Sequence, residues 1–175
     1  VVLPDGDGVP MGTDVAVLAL ARGGVPVGYE VARALSAQLD VFVGHELTPS
    51  QLFRNRGDGT FEDVSQHSGI AAKKGHGLGV AFADYDGDGF TDIFVTNDAV
   101  PDFMFHNKGN GTFEEVALLA GVAVPANGRP VSSMGTDFRD YNNDGWPDIA
   151  LTALTGETFP LFRNDAGKYF QDATY

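Results

Sequence analysis

The chain of 175 residues contains no cysteine. That excludes a disulfide scaffold, cysteine-ligated zinc, iron–sulfur clusters and a thiol nucleophile. Basic residues are scarce: 11 Lys and Arg stand against 24 Asp and Glu, a net charge of −13. A surface so anionic is unsuited to nucleic acid, whose phosphates need Lys and Arg, and suited to cations. The longest apolar run, residues 15–21, is too short to span a bilayer, which takes about 20 residues, so no membrane partner is expected. Asp5, Asp7 and Asp14 precede or flank that run with no basic cluster, so no signal peptide is expected within these residues. The first residue is Val1 rather than Met, the expectation being a processed, tagged or partial product. Glycine, by contrast, is plentiful at 23 of 175, roughly twice the usual share, and implies many tight turns. A hydrophobic content of 43% is enough for one ordinary core.

From residue 52 onward the sequence repeats itself. Leu52-Phe53-Arg54-Asn55 returns as Met104-Phe105-His106-Asn107 and as Leu161-Phe162-Arg163-Asn164. Gly59-Thr60-Phe61-Glu62-Asp63-Val64 returns as Gly111-Thr112-Phe113-Glu114-Glu115-Val116, and more weakly as Gly167-Lys168-Tyr169-Phe170-Gln171-Asp172. Phe61 to Phe113 is 52 residues and Phe113 to Phe170 is 57. A period of this size marks propeller blades or a similar array. Each unit reads as four short strands, the last two alternating apolar and polar residues across an Asn/Gly hairpin turn. The expected organisation is a half blade over residues 50–65 and two blades over 77–117 and 133–173, a mainly β partial propeller. Residues 1–47 do not repeat. There a buried strand over 15–20, a helix over 26–38 with Pro26 in its first turn, and a strand at Val41–Val43 read as a β-α-β segment.

The chemistry sits in two acidic turns. Asp84-x-Asp86-x-Asp88-Gly89-x-x-Asp92 places carboxylates at loop positions 1, 3, 5 and 9, with the carbonyl of Phe90 at position 7. Its counterpart offers Asp140, Asn142, Asp144, the Trp146 carbonyl and Asp148, one charge fewer, so weaker binding is expected. Oxygen-only donors at this spacing suit Ca2+, giving two expected sites per chain. Four carboxylates within nine residues repel one another unless a cation neutralises them. The loops are not EF-hands: position 12 is Val95 or Leu151 where Glu is required, and strands rather than helices flank them.

These loops, with Leu-Phe-x-Asn and Gly-x-Gly-Thr-Phe around them, resemble the FG-GAP/VCBS repeat family, which includes the integrin α-subunit propeller and bacterial secreted repeat proteins. The resemblance covers about residues 50–175. It implies a calcium-binding β-propeller, usually secreted or periplasmic, that binds partners rather than catalysing, with calcium between the first two strands of a blade. Family propellers commonly have seven blades, and this chain has fewer than three. Residues 17–35, through Ala21-Arg22-Gly23-Gly24-Val25-Pro26, are similar to the start of type I phosphoribosyltransferases. That family's phosphoribosyl-pyrophosphate loop is absent, so its catalysis is not expected, and the segment reads as a truncated or chimeric piece joined near residues 44–50.

An unclosed ring exposes blade faces, so self-association as a homodimer is expected. Arg56-Gly57-Asp58 spells an adhesion tripeptide but occupies the hairpin turn matched by Lys108-Gly109-Asn110. His67 and His106 read as ordinary surface or hydrogen-bonded residues. His76 precedes a strand that would line a propeller channel, and Ser132, Ser133 and Asp137 hold similar places in the next blade. With a nearby metal, His76 and Asp137 are weak candidates for activating water on an ester. The leading reading is a calcium-binding binding or structural module; the alternative is a metal-dependent phosphoester hydrolase.

Overall fold

The computed structural model describes residues 41–43, 46–58 and 60–174. The strand expected over 15–20 and the helix over 26–38 lie outside them. The described residues are mainly β, with few helices: three antiparallel sheets, an architecture consistent with a partial propeller. They fall in two compact units. The first holds β1 (Val41–Val43), β3 (Gln51–Asn55) and β4 (Phe61–Asp63) in the order β1-β3-β4, with Phe42, Leu52 and Val64 buried.

The second unit holds two sheets. One runs β2 (Glu46–Pro49), β5 (Lys74–Ala83), β6 (Asp92–Asn97), β7 (Phe103–Asn107), β8 (Phe113–Glu115). The four repeat-derived strands are where the apolar alternation puts them. The fifth, β2, comes from outside the repeat and pairs Glu46 with His76 and Pro49 with Lys74. The other sheet runs β12 (Phe170–Asp172), β11 (Leu161–Asn164), β10 (Asp148–Ala153), β9 (Ser133–Arg139). A single helical turn, Ala117–Ala120, closes the first repeat; its Leu118 and Leu119 face solvent.

The two sheets stack through side chains that the repeat pattern marks as apolar. Ala81, Tyr85, Phe94 and Met104 of the first pack with Phe138, Ile149, Leu151, Phe162 and Phe170 of the second. The rings of Phe94 and Phe138 meet edge to face at 6.3 Å. The inner strands approach closely at Gly79, where an added Cβ would lie 2.6 Å from Thr96 Oγ1 and 2.7 Å from the Met134 carbonyl oxygen. Thr96 Oγ1 donates to that same carbonyl at 3.3 Å.

Stacking leaves one face of the last sheet uncovered. Tyr85 is 7% exposed, whereas Tyr141, its counterpart one repeat later, is 48% exposed. Asp137, Arg139, Ala150 and Thr152 are exposed beside it, so this face is more polar than the buried one it parallels. Phe94 is fully buried and Leu119 is 84% exposed. Replacing Phe94 with Ala is expected to cost about 3–5 kcal/mol, and Leu119→Ala less than about 0.5 kcal/mol, as read by urea denaturation.

Candidate metal centre

The acidic turns join β5 to β6 and β9 to β10, the first two strands of each repeat, and both are built alike. Asp84 accepts the Gly87 and Asp88 N–H groups on Oδ1, at 2.8 and 3.1 Å, and the Gly89 N–H on Oδ2 at 2.9 Å. Asp140 accepts the Asp144 N–H on Oδ1 and the Gly145 N–H on Oδ2. Asp88 and Asp144 accept the N–H of Phe90 and Trp146. Gly87 has φ 75° and Asn143, at the same place in the second turn, φ 59°. This left-handed position favours Gly and tolerates Asn.

The last carboxylate of each turn faces inward. Asp92 accepts the Tyr85 N–H on Oδ2 at 3.1 Å and the Asn107 N–H on Oδ1 at 2.8 Å. Asp148 does the same with Tyr141 at 3.2 Å and Asn164 at 2.7 Å. The asparagine returns the bond: Asn107 Nδ2 donates to the Thr91 carbonyl and Asn164 Nδ2 to those of Pro147 and Tyr85. Its Oδ1 accepts a hairpin glycine N–H, a pattern found in all three repeats at Asn55, Asn107 and Asn164. The recurring Leu-Phe-x-Asn is thus a strand that ends in a clasp on the acidic turn or the hairpin. Position 9 was read as a metal ligand; in the structure both its oxygens already hold main-chain N–H groups, leaving one lone pair on each.

The two turns differ in donors. In the first, carboxylate oxygens of Asp84, Asp86 and Asp88 lie within 4.8 Å of one another. Burial, reinforced by the neighbouring Asp88 and Asp84 charges, raises the Asp86 carboxyl above the usual range. Burial chiefly, with the Asp86 charge adding, pushes Asp92 up to about 7. Burial and the Asp86, Asp92 and Asp88 charges push the Tyr85 phenol up to about 12. Such a concentration of negative charge, with oxygens converging, fits a hard divalent cation. In the second turn Asn142 Nδ2 donates to Asp144 Oδ2 at 2.9 Å, partly supplying from within what a cation would supply. Among the described residues no triplet of converging acidic or imidazole ligands forms there.

The sequence reading missed His106. Its Nδ1 lies 3.3 Å from Asp86 Oδ2 and 3.2 Å from Asp92 Oδ1. The signal was present in the repeat: Arg54 and Arg163 hold its place elsewhere. The position-7 aromatics also do more than lend carbonyls. Phe90 covers Gly109, and Trp146 covers Gly167 and touches Gly87.

The channel-side candidates each have partners of their own. His76 Nδ1 lies 3.0 Å from the Asp98 carbonyl oxygen, while Asp137 pairs with Arg139 at 3.4 Å on the exposed face. Ser132 donates its N–H to Glu157. Ser133 donates its hydroxyl to Asp102 Oδ2 at 3.1 Å, and Asp102 Oδ1 accepts the Asn97 N–H at 2.7 Å. Asp102 was not anticipated; burial pushes it up to about 7. Asp58 of the Arg-Gly-Asp spelling accepts both the N–H and the hydroxyl of Thr60, as Asn110 does from Thr112, so it is a turn residue.

A family model for FG-GAP-like repeats matches residues 37–95 and 84–151, more than half of the chain. The chain belongs to the FG-GAP-like repeat family. It is 37% identical over 112 residues to cartilage acidic protein 1 of Mus musculus, covering 63% of this chain and 16% of that protein. The Homo sapiens protein is 36% identical over the same length, with the same coverage. The Xenopus tropicalis protein is 38% identical over 102 residues, 57% of this chain and 15% of that one. The match thus spans about a sixth of the curated relatives' length. This FG-GAP chain carries the repeat's acidic turns, its hairpin asparagines and their mutual clasp.

Two outcomes follow from these contacts. Asn164→Ala removes two donors and one acceptor from a buried site and is expected to cost about 2–3 kcal/mol by urea denaturation. Asp102 binds its proton more tightly folded, near 7, than at its ordinary 3.8. The stability it contributes is therefore fully present below about pH 4 and lost as pH rises through about 7. Asp102→Asn is expected to remove a loss of about 3 kcal/mol between pH 5 and pH 8, so that the variant gains on wild type across that range.

Proposed function

We propose that this chain is a calcium-binding part of a β-propeller that serves as a binding or structural module. The observation that carries this reading is the convergence of Asp84, Asp86 and Asp88 in a turn whose own N–H groups fix them in place. Membership of a repeat family that is often calcium-binding supports it. In this reading Asp84, Asp86, Asp88, the Phe90 carbonyl and Asp92 form the stronger site. Asp140, Asn142, Asp144, the Trp146 carbonyl and Asp148 form the weaker one. The ion neutralises the turn and stabilises the folded state by mass action, by about 2.7 kcal/mol at a hundred times its Kd. Residues 50–65, 77–117 and 133–173 are its half blade and two blades, and the uncovered face around Tyr141 is where a second copy completes the stack.

Thermal melting in Ca2+ and in chelator tests the metal. The midpoint is expected to rise in Ca2+, and the rise to shrink in Asp88→Asn; a midpoint indifferent to Ca2+ overturns the reading. Light scattering tests the pairing, with a dimer expected and a monodisperse monomer refuting it. Chelator-sensitive turnover of phosphate esters would replace the module with a hydrolase.

A further inference from the structure

Beside the first acidic turn lies a nitrogen donor, of a kind that calcium does not take. His106 precedes Asn107, the last residue of β7, and its ring is set edge-on against Tyr85 at 6.1 Å. Its Nδ1 is buried and takes no hydrogen bond, yet it sits 3.3 Å from Asp86 Oδ2 and 3.2 Å from Asp92 Oδ1. All three ligand atoms lie within 4.8 Å of one another. Metal–nitrogen and metal–oxygen bonds of about 2.0–2.2 Å at tetrahedral or octahedral angles put neighbouring ligand atoms about 3–3.5 Å apart. The spacing at His106 is that spacing. Imidazole with carboxylates suits zinc, manganese and their neighbours, while calcium takes oxygen alone.

This donor set occurs once among the repeats. In the second turn Asn142 replaces Asp86, and Arg163 replaces His106 and turns instead to Gln171 Oε1 at 2.8 Å. Asp92 is held rigid by the Tyr85 and Asn107 N–H groups, the outer support that orients a metal-ligating carboxylate.

We propose that Asp86, Asp92 and His106 form a site for a divalent first-row transition metal, Zn2+ or Mn2+, which competes with calcium for Asp86. It rests on the preceding reading only in taking the first turn's carboxylates as cation ligands. The test uses the full chain with Zn2+ alone in calorimetry and Mn2+ alone in electron spin echo spectroscopy. Wild type is expected to bind Zn2+ and to show nitrogen modulation on bound Mn2+. His106→Gln is expected to lose at least about tenfold in Zn2+ affinity and to lose the modulation, while keeping its melting shift in Ca2+. Asp88→Asn is expected to do the reverse. Should His106→Gln fail to fold, His106→Asn takes its place. Unchanged Zn2+ heat in the variant, or a Mn2+ echo without nitrogen, overturns the proposal and leaves His106 as a partner of two carboxylates. Loss of the Ca2+ shift in wild type with the nitrogen signal intact would sink the calcium reading and spare this one.

Discussion

Each acidic turn depends on a clasp behind it. A buried aspartate, Asp92 or Asp148, accepts an N–H at the start of its own turn and the N–H of the asparagine that ends the next strand. That asparagine grips the carbonyl just before the aspartate. Such bonds to a carboxylate are among the stronger ones in a protein, and they fix both ends of a nine-residue loop. The remaining aspartates then sit on a rigid frame. Backbone N–H groups occupy part of their oxygens, and in the first turn the carboxylates of Asp84, Asp86 and Asp88 converge. Repulsion that would splay a free loop is held in a fixed geometry, the condition a cation site needs.

The clasp also couples neighbouring repeats. Asn164 Nδ2 reaches the Tyr85 carbonyl of the first turn as well as Pro147 of its own. One asparagine therefore ties the second sheet's hairpin to the first sheet's acidic turn. Tyr85 owes its burial to this neighbour, packing on Phe170 at 5.7 Å. Tyr141 holds the same place after an aspartate and makes the same hydrogen bond, yet is 48% exposed. Position in the stack, rather than local preference, decides burial in a repeat array. The Asp137–Arg139 pair lies on this open face, which is more polar than the buried one.

Much of the fold was legible because it recurs. Repeated Phe, Asn and Asp-x-Asp motifs located the strands β5–β12 and the turns between them, since hairpin chemistry and strand alternation are local. What escaped was non-local. β2 joins the sheet from outside the repeat, and nothing in Glu46–Pro49 alone names its partner. The hydrogen bonds that Asp92 and Asp148 accept from Asn107 and Asn164 need the third strand in place to be seen. His106 lies 14 residues beyond Asp92 in sequence and meets it only through β6–β7 pairing, which sets Ile93 opposite Phe105. His76 and Asp137 invited grouping because both lie near channel strands, but one bonds a carbonyl and the other an arginine.

The chain has a single tryptophan, and its placement has a use of its own. Trp146 belongs to the second turn by sequence, but its ring edge rests against Gly87 of the first and under Gly167. Indole emission responds to nearby charge and solvent, so this one fluorophore reports on a loop it does not belong to. Local ordering around Asp86 can be followed by light alone, with no label and no second emitter of its kind to confuse the signal.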